Sequence, residues 1–461
     1  MKKIALLVSA IVFAFIVPLQ TYAASLSEVR SYVKNNYYGD INGDIYDAST
    51  IDELMNMLDP YSVYYTEEQY NDLIYSLNNE LIGIGIVVDI HEQGVYIAEV
   101  LKDGPAYTAG LQIGDIITHA DGVSLAGMPL SNALNYIKGA VNTVVQLKVL
   151  HKNGSTQSHS LTRKVIKVST VEQELLYGNV GYIYLSSYTE DAGQLVSNAI
   201  NNLTKAGATH FIFDIRDNGG GYVNAALDII SLFPNAVNGF LQLDAGGKYL
   251  ITLNDYLQPY AKRFSKFTAN TSLLINGNSA SASDMTAGAV KDQNLAKIYG
   301  STSYGKGLMQ TIDTFHDGSA IKLTIAEFRT PNGNVINKTG IKPDVETQTP
   351  LEDAHFDAIT SRLAKYKSVQ SLANVPTSKT FTVTLSDNVS SSITNDSIEF
   401  VQLGGSKVEI QTKVQNNKIN VTPTKPLQAG AQYVLIVHPT IKNSKGKKLA
   451  SGSYMHITVA K

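Results

Sequence analysis

The chain has 461 residues, no cysteine and a formal net charge of −3. The lack of cysteine excludes disulfides, thiolate metal sites and a cysteine nucleophile. Over the chain as a whole, basic and acidic residues are interspersed, and no basic stripe indicates a nucleic-acid partner. The length predicts two to four domains.

The first residues have the order of a secretory signal peptide. Lys2 and Lys3 precede an apolar run over residues 4–17, and small residues follow up to Ala24. We expect residues 1–23 to be cleaved and the protein to be exported. The alternative is an uncleaved membrane anchor, but the apolar run is shorter than the roughly 20 residues that a spanning helix needs.

The next two segments differ in pattern. Residues 24–80 have helical spacing and begin with a capping box at Ser25–Glu28, so we expect an N-terminal helical segment. Its acidic stretch at 40–47 resembles a calcium loop, but Ile45 stands where that loop requires glycine, which favours a solvated turn. Residues 81–168 contain short β-prone runs separated by glycine turns and predict a small β domain.

Alternating runs predict an α/β core over residues 169–350. Strand-like runs at 180–185, 210–215 and 272–276 alternate with helical runs at 191–206, 224–233 and 283–291, as in a mostly parallel sheet flanked by helices. Residues 351–375 read as a helical segment, over 353–372, and a linker. Residues 376–461 contain five or more short strands and predict a β-sandwich of immunoglobulin-like architecture.

The stretch GSTSYGKG, Gly300–Gly307, resembles the start of a phosphate-binding loop around Lys306. Such a loop needs a Ser or Thr directly after the lysine and then a helix. Here Gly307 follows the lysine, and the next run is a predicted hairpin with an Asp-Gly turn. We therefore reject a nucleotide site.

A second stretch, LLINGNSASASDMTAGAVKDQ, lies upstream. It predicts a strand, a tight turn of small residues and a helix capped by Ser283 or Asp284. A serine at this turn would lie beside N–H groups at the positive end of the helix, where an oxyanion is stabilised. Taken alone, the Ser/Ala run is more typical of a flexible turn than of a catalytic site.

The segments NGNSASASD and YGKGLMQ together resemble the motifs of the C-terminal processing (tail-specific) serine peptidases. The resemblance implies that Ser281 is the nucleophile, Lys306 its base and Gln310 the residue that orients the lysine. The interval of 25 residues between Ser281 and Lys306 is the one expected of the family. The resemblance also implies a crotonase-like protease core with an inserted PDZ domain.

Further segments carry the same resemblance. The stretch MLDPYSVYYTEEQ resembles the segment before the PDZ domain, and FRTPNGNVINKTGIKPD resembles the end of the protease core. The stretch GIGI implies a loop that receives a substrate's C-terminal carboxylate: Gly83, Ile84, Gly85 and Ile86. The stretch FDIRDNGGGY implies an oxyanion hole formed by the amides of Ala282 and of Gly221 or Gly220. Lys138 stands where an arginine couples the PDZ domain to the active site in some members, which leaves that coupling open.

A lysine can act as a base only when it is neutral. Lowering its pKa from about 10.4 to about 7.5 requires roughly 4 kcal/mol of destabilisation of the ammonium form. No acidic residue lies between Gly300 and Thr311, and a glutamine can orient the lysine without adding charge. A Ser-His-Asp arrangement is the rival, but His210 and Asp214 lie about 13 Å apart if their strand is extended, so they cannot pair.

The sequence therefore predicts an exported serine endopeptidase with a Ser-Lys dyad, without metal or cofactor. Its expected partners are protein substrates with a free C-terminus. The alternative from another class is a non-catalytic PDZ scaffold at the cell surface. The sequence leaves open whether the N-terminal helices form a homodimer and whether the sandwich contacts the cell wall.

Overall fold

The structure is a computed structural model, which describes residues 24–102, 104–257, 264–390 and 397–461. The expected signal peptide, residues 1–23, lies outside the described residues. None of the described helices is long and apolar enough to cross a membrane. The chain forms two units: residues up to Asp72 with Gln310–Ile325, and Leu73–Met309 with Ala326–Lys461.

The first unit is mostly helical. Ser25 caps its first helix and Glu28 completes the capping box, as predicted. A small core forms where Val29 and Leu54 pack with Leu323 of a long strand. Among the residues that the structure describes, no group of three or more histidine, aspartate or glutamate side chains is placed to hold a metal ion. The elements of this segment are α1 Leu26–Asn36, α2 Ile51–Asn56, β1 Val63–Tyr65 and α3 Glu67–Leu77, which continues into the second unit.

The small β domain follows in the second unit. Its main sheet has the order β3-β4-β5-β7-β8, with β6 on β5, so β3 is an edge strand. Strands β2 and β9 pair antiparallel as a separate two-stranded ribbon. The elements are β2 Glu80–Gly83, β3 Ile86–His91, β4 Gly94–Val100, α4 Pro105–Thr108, β5 Ile116–Ala120, β6 Val123–Ser124, α5 Leu130–Ile137, β7 Val144–Leu150, β8 Thr156–Thr162 and β9 Lys164–Lys167.

The α/β core lies next along the chain. Its elements are β10 Val171–Leu176, β11 Val180–Leu185, α6 Ala192–Lys205, β12 His210–Asp214, α7 Val223–Ser231, β13 Asn238–Asp244, β14 Gly247–Thr252, α8 Leu253–Leu257, β15 Thr271–Ile275, α9 Ala282–Asp292, β16 Lys297–Gly300, β17 Leu308–Thr314, β18 Ala320–Arg329, β19 Val345–Glu346 and α10 Pro350–Ser361. Strands β17 and β18 pair with each other, as the predicted hairpin requires.

The central sheet of the core has the order β10-β11-β12-β15-β16-β19. All neighbours from β11 to β19 are parallel, while β10 is antiparallel to β11. Alternate side chains of each strand face opposite sides of the sheet. Phe213 and Leu273 pack with helices α6, α7 and α9, whereas Ile212 and Leu274 pack with α10. Both faces are buried, which explains the nearly continuous apolar strands in the sequence.

Two expectations about the C-terminal part are corrected. Helix α10 ends at Ser361, not near 372. Residues 372–375, expected in a linker, form strand β21 and pair with the last strand of the sandwich. The sandwich consists of one sheet with the order β20-β27-β26-β23, with β21 on β27, and a second with the order β22-β25-β24. Its strands are β20 Lys367–Ser368, β21 Leu372–Val375, β22 Phe381–Thr384, β23 Ile398–Gln402, β24 Ile410–Gln415, β25 Lys418–Pro423, β26 Gln432–Val437 and β27 Ser453–Val459.

Candidate active site

Ser281 lies at the turn between β15 and α9, in a strained backbone conformation. Its φ is 58° and its ψ is −108°, a region that costs a residue with a side chain about 1–3 kcal/mol. Ser281 itself is the N-cap of α9, so the predicted cap at Ser283 or Asp284 is wrong. Such strain at a tight turn is typical of functional residues. Here it holds the serine directly before the positive end of a helix.

Asp284 joins the serine turn to the lysine segment. Its side chain is fully buried. Its Oδ2 accepts hydrogen bonds from the backbone N–H of Ser281 at 2.8 Å and of Lys306 at 2.9 Å. Its Oδ1 accepts from the Ser303 hydroxyl at 2.5 Å and from the Gly305 N–H at 3.0 Å. The backbone nitrogens of Ser281 and Lys306 are therefore at most 5.7 Å apart, the sum of their distances to the shared oxygen.

The sequence analysis missed this role of Asp284. The sequence feature that could have indicated this role is an acidic residue in the first turn of the helix, three positions after the predicted nucleophile. Burial raises the pKa of Asp284, although its hydrogen bonds with Ser303, Lys306, Gly305 and Ser281 each act to lower it. The lysine segment has no acidic residue of its own, but the Asp284 carboxyl group reaches it from another part of the chain.

The glycines beside Lys306 allow close packing. Gly305 has a φ of 84°, and a Cβ there would lie 2.6 Å from the Gly340 nitrogen. A Cβ on Gly307 would lie 2.6 Å from the Asn337 nitrogen. Strand β17 follows Gly307 directly, in place of the helix that a phosphate-binding loop requires.

Residues 218–221, which we call the glycine-rich loop, lie against the turn that carries Ser281. A Cβ on Gly220 would be 2.8 Å from the Ser281 Cβ and 3.0 Å from the Ala282 nitrogen. The Gly220 N–H donates to Asn218 Oδ1 at 2.9 Å. Since that amide already has an acceptor, Gly221 is the better candidate for the second oxyanion donor.

Asn218 is a second residue that sequence reasoning missed. It is fully buried, and its Nδ2 donates to the Leu185 carbonyl at 2.8 Å. The backbone carbonyl of Asn218 accepts hydrogen bonds from the Ala280 N–H at 3.0 Å and from the Ser283 hydroxyl at 2.9 Å. Asn218 therefore ties the glycine-rich loop to both sides of Ser281.

Gln310 belongs to the first unit, whereas Ser281 and Lys306 belong to the second. Its Nε2 donates to Thr324 Oγ1 at 3.0 Å. The Thr324 N–H donates to Ser62 Oγ at 3.1 Å, and the Ser62 hydroxyl donates to Asp59 Oδ2 at 2.9 Å. The motif at 57–69 thus supports the hairpin that carries Gln310. The role of Gln310 toward Lys306 stays a prediction.

The segment Gly83–Ile86 connects β2 with the edge strand β3 and includes the first residue of β3. The carbonyl of Ile84 accepts from the Ala106 N–H at 2.8 Å, and that of Gly85 accepts from the Leu101 N–H at 2.9 Å. In a trans peptide the N–H points opposite to the C=O, so the amides of Gly85 and Ile86 are directed away from these partners. Gly85 has a φ of 80°, and a Cβ there would lie 3.0 Å from the Gly104 Cα.

The partners of Asp214 contradict a histidine triad with His210. The two residues begin and end β12. Asp214 is buried and accepts hydrogen bonds from the Arg216 guanidinium at 2.6 Å and the Tyr182 hydroxyl at 2.8 Å. His210 lies at the start of the strand, as predicted.

Three segments of the chain match models of known families. Residues 179–347 match the model of peptidase family S41, residues 72–150 that of the PDZ domain, and residues 359–458 that of a bacterial Ig-like domain. A probable CtpA-like serine protease of Staphylococcus aureus (strain MRSA252) is 32% identical over 370 residues, which cover 79% of this chain and 70% of the relative. The protein therefore belongs to the CtpA-like serine proteases of peptidase family S41.

Other similar proteins differ in coverage. A probable CtpA-like serine protease of Staphylococcus epidermidis (strain RP62A) is 35% identical over 326 residues, covering 70% of this chain but only 65% of the relative. The chain thus spans less than two thirds of that relative. Among solved structures, a photosystem II D1 C-terminal processing protease is 22% identical, with a TM-score of 0.43 over 73% of this chain and 96% of its own.

Proposed function

We propose that this protein is an extracytoplasmic serine endopeptidase with a Ser281–Lys306 dyad. The observation that carries the proposal is the shared Asp284 oxygen, which accepts the backbone N–H of both residues. Two motifs that are 25 residues apart in sequence are brought together by one buried carboxyl group. The crotonase-like assignment of the core belongs to the same proposal.

The dyad would work by covalent catalysis. The Ser281 Oγ attacks the carbonyl carbon of the scissile peptide bond while the neutral Lys306 Nζ takes its proton. The carbonyl oxygen becomes an oxyanion, which the N–H groups of Ala282 and Gly221 stabilise. When the C–N bond breaks, Lys306 returns the proton to the leaving amine. Water then hydrolyses the acyl-enzyme, again with Lys306 as the base. Gln310 orients the lysine in both halves of the reaction.

Substrate selection is proposed to begin at the PDZ domain. PDZ domains bind an extended C-terminal segment as an added strand on a sheet edge. Strand β3 is such an edge, and the amides of Gly85 and Ile86 at its start are directed away from the strand β4 side, where Leu101 and Ala106 bond the preceding carbonyls. These amides would receive the terminal carboxylate of the substrate.

The deciding experiment is degradation of an unfolded protein with a free, apolar C-terminus. We expect activity in the wild type and in the control Lys205→Ala, an exposed lysine at the end of α6, and no activity in Ser281→Ala or Lys306→Ala. Wild-type activity should rise with pH through an apparent pKa well below the ordinary lysine value of about 10.4.

The outcomes separate the two classes of protein. Degradation that survives Ser281→Ala would contradict the dyad. Binding of C-terminal peptides without cleavage by the wild type at any pH would favour a non-catalytic scaffold.

A further inference from the structure

The charge of the chain is unevenly divided between its parts. The last 100 residues, 362–461, contain 13 basic and four acidic residues, a formal net charge of +9. Since the whole chain carries −3, the preceding 361 residues carry −12. The basic and acidic residues are therefore not interspersed on the scale of domains, and the expectation drawn from the whole-chain charge is corrected. A domain of this charge attracts polyanions.

Seven lysines of the sandwich lie at one end of its two sheets. We call this set the basic end: Lys365, Lys367, Lys418, Lys442, Lys445, Lys447 and Lys448. Strand register places Lys418 opposite Thr384 in one sheet and Lys367 opposite Ser453 in the other. The remaining members lie on the turn between β26 and β27 or directly before β20.

Backbone contacts join these segments at the same end. The turn over 442–448 is closed by a bridge between Lys442 and Lys448. The Ser390 N–H donates to the Lys442 carbonyl at 2.9 Å, and the Val389 N–H donates to the Asn416 carbonyl at 2.8 Å. The short segment at 388–390 therefore connects the lysine-rich turn with the turn before Lys418.

Within the described part of the sandwich, the lysines of the basic end are exposed and form no ion pair. All seven lysine side chains are exposed. Among the described residues none of the seven forms an ion pair; the sandwich lysine that does, Lys407, lies elsewhere and contacts Glu399 at 3.0 Å. Asp387 is the acidic residue of the described part of this end, and it accepts from Asn443 Nδ2 at 3.2 Å.

The chemistry of this surface selects among polyanions. Its cations are all lysines, which act as point charges and do not impose the bidentate geometry of arginine. None of the described aromatic side chains of the sandwich is exposed, so stacking on nucleic-acid bases is not provided for. The described part of the sandwich also lacks an exposed large apolar side chain that could insert into a lipid bilayer.

We propose that the basic end is a docking surface for a flexible anionic polymer with repeated phosphate groups, of the kind that a bacterial cell surface presents. The ammonium groups replace the small counterions along the polymer, so binding is salt-dependent. The C-terminal sandwich would then hold the protein at a phosphate-rich matrix. Binding of the polymer at the basic end does not depend on the proposed protease activity.

The test measures binding of the full chain to long-chain inorganic polyphosphate, in the Ser281→Ala background so that its outcome is independent of proteolysis. The variant Lys445→Gln/Lys447→Gln/Lys448→Gln removes three charges from the basic end. The matched control Lys379→Gln/Lys425→Gln/Lys461→Gln removes three from the opposite end of the same sheets. Thermal unfolding of both variants verifies that they are folded.

We expect the first variant to bind at least tenfold more weakly at about 0.1 M salt. By analogy with single-stranded polyanions, the slope of log Kd against log salt should fall by about two, or about 0.7 per lysine. The control should bind like the parent. Equal weakening in both variants would overturn the proposal in favour of a net-charge effect. Tighter binding to phosphatidylglycerol vesicles than to polyphosphate would overturn it in favour of a membrane surface.

Discussion

Asp284 is a single side chain that joins the two segments of the proposed dyad. It is fully buried, and it accepts four hydrogen bonds from the serine turn and the lysine segment. A carboxylate has acceptor positions for all four donors, whereas an asparagine replaces one oxygen with an amide nitrogen that can only donate. The alignment of Ser281 with Lys306 therefore requires an acid at this position.

We expect Asp284→Asn to lower kcat by about 100-fold with little change in KM, because small misplacements of reacting groups have effects of this size. The pH profile should shift as well, since a titratable group that accepts the Lys306 N–H is removed. Peptide hydrolysis across pH 6–10 checks both effects. The control is Asp244→Asn, a turn aspartate that accepts the Gly246 N–H at 2.8 Å. An unchanged pH profile with reduced activity would indicate a purely structural role.

The β17–β18 hairpin is the element that carries Gln310. Its register against β1 is fixed by pairs such as Tyr65 with Ala320. The buried Thr324 links Gln310 to Ser62 and so to the motif at 57–69. Through these hydrogen bonds, residues of the motif at 57–69 hold the hairpin that carries the Gln310 side chain.

The variant Thr324→Val keeps the volume of the side chain but removes the acceptor of Gln310 Nε2. The loss of one buried hydrogen bond costs about 1–2 kcal/mol. If Gln310 orients Lys306, we expect kcat to fall by about tenfold. Thr314→Val, at the exposed end of β17, serves as the control. Full activity in Thr324→Val would show that this contact does not contribute to catalysis.

The edge strand β3 and the residues at its start are proposed to bind the C-terminal carboxylate of the substrate. A substrate whose C-terminal carboxylate is amidated cannot place a negative charge on the Gly85 and Ile86 amides. We expect its KM to rise at least tenfold while kcat stays the same, because the reacting bond lies elsewhere. Degradation of matched free and amidated peptides gives both constants. Equal KM values would contradict recognition through the carboxylate.

At the scale of the molecule, the sandwich is docked on the α/β core within the second unit. Ile359 of α10 packs with Val401 and Val434 of the sandwich. The buried His355 accepts the Gly404 N–H at 2.9 Å through Nδ1, and its Nε2 donates to the Tyr177 carbonyl at 2.9 Å. Burial lowers the pKa of His355, which favours the neutral ring that this bridge needs.

Glu399 forms a polar contact at the same junction. Burial alone would raise its pKa, but hydrogen bonds from His438, Tyr177 and Lys407 outweigh burial and lower the pKa to about 2. The ordinary value is 4.5. The stability that this carboxylate contributes is present above pH 4.5 and is lost as the pH falls toward 2.

We therefore expect Glu399→Gln to be less stable than the wild type by about 1–2 kcal/mol at pH 6, after allowance for solvent screening. The difference should shrink as the pH is lowered to 3. Thermal unfolding at both pH values measures it. The control is Glu409→Gln, an exposed residue of the same sandwich. A difference that is constant with pH would contradict the assignment of the low pKa to Glu399.

The sequence by itself determined the order of the domains and the type of most elements in the core. Strands β11, β12 and β15 and helices α6, α7 and α9 lie within a few residues of their predicted positions, because apolar periodicity and turn residues are local signals. The motifs around Ser281 and Lys306 were recognisable for the same reason. The end of α10 and the strand at 372–375 were misjudged, since pairing with β27 is a contact between distant residues.

Only the tertiary structure decided which groups surround the two residues of the proposed dyad. Asp284 and Asn218 reach Ser281 from a helix and a loop whose relation depends on sheet order, which local patterns do not encode. Ser62 and Thr324 meet although 262 positions separate them. The basic end likewise assembles from turns that are distant in sequence. Hydrogen-bond partners and charge clusters depend on positions in space, and a linear pattern contains no direct measure of them.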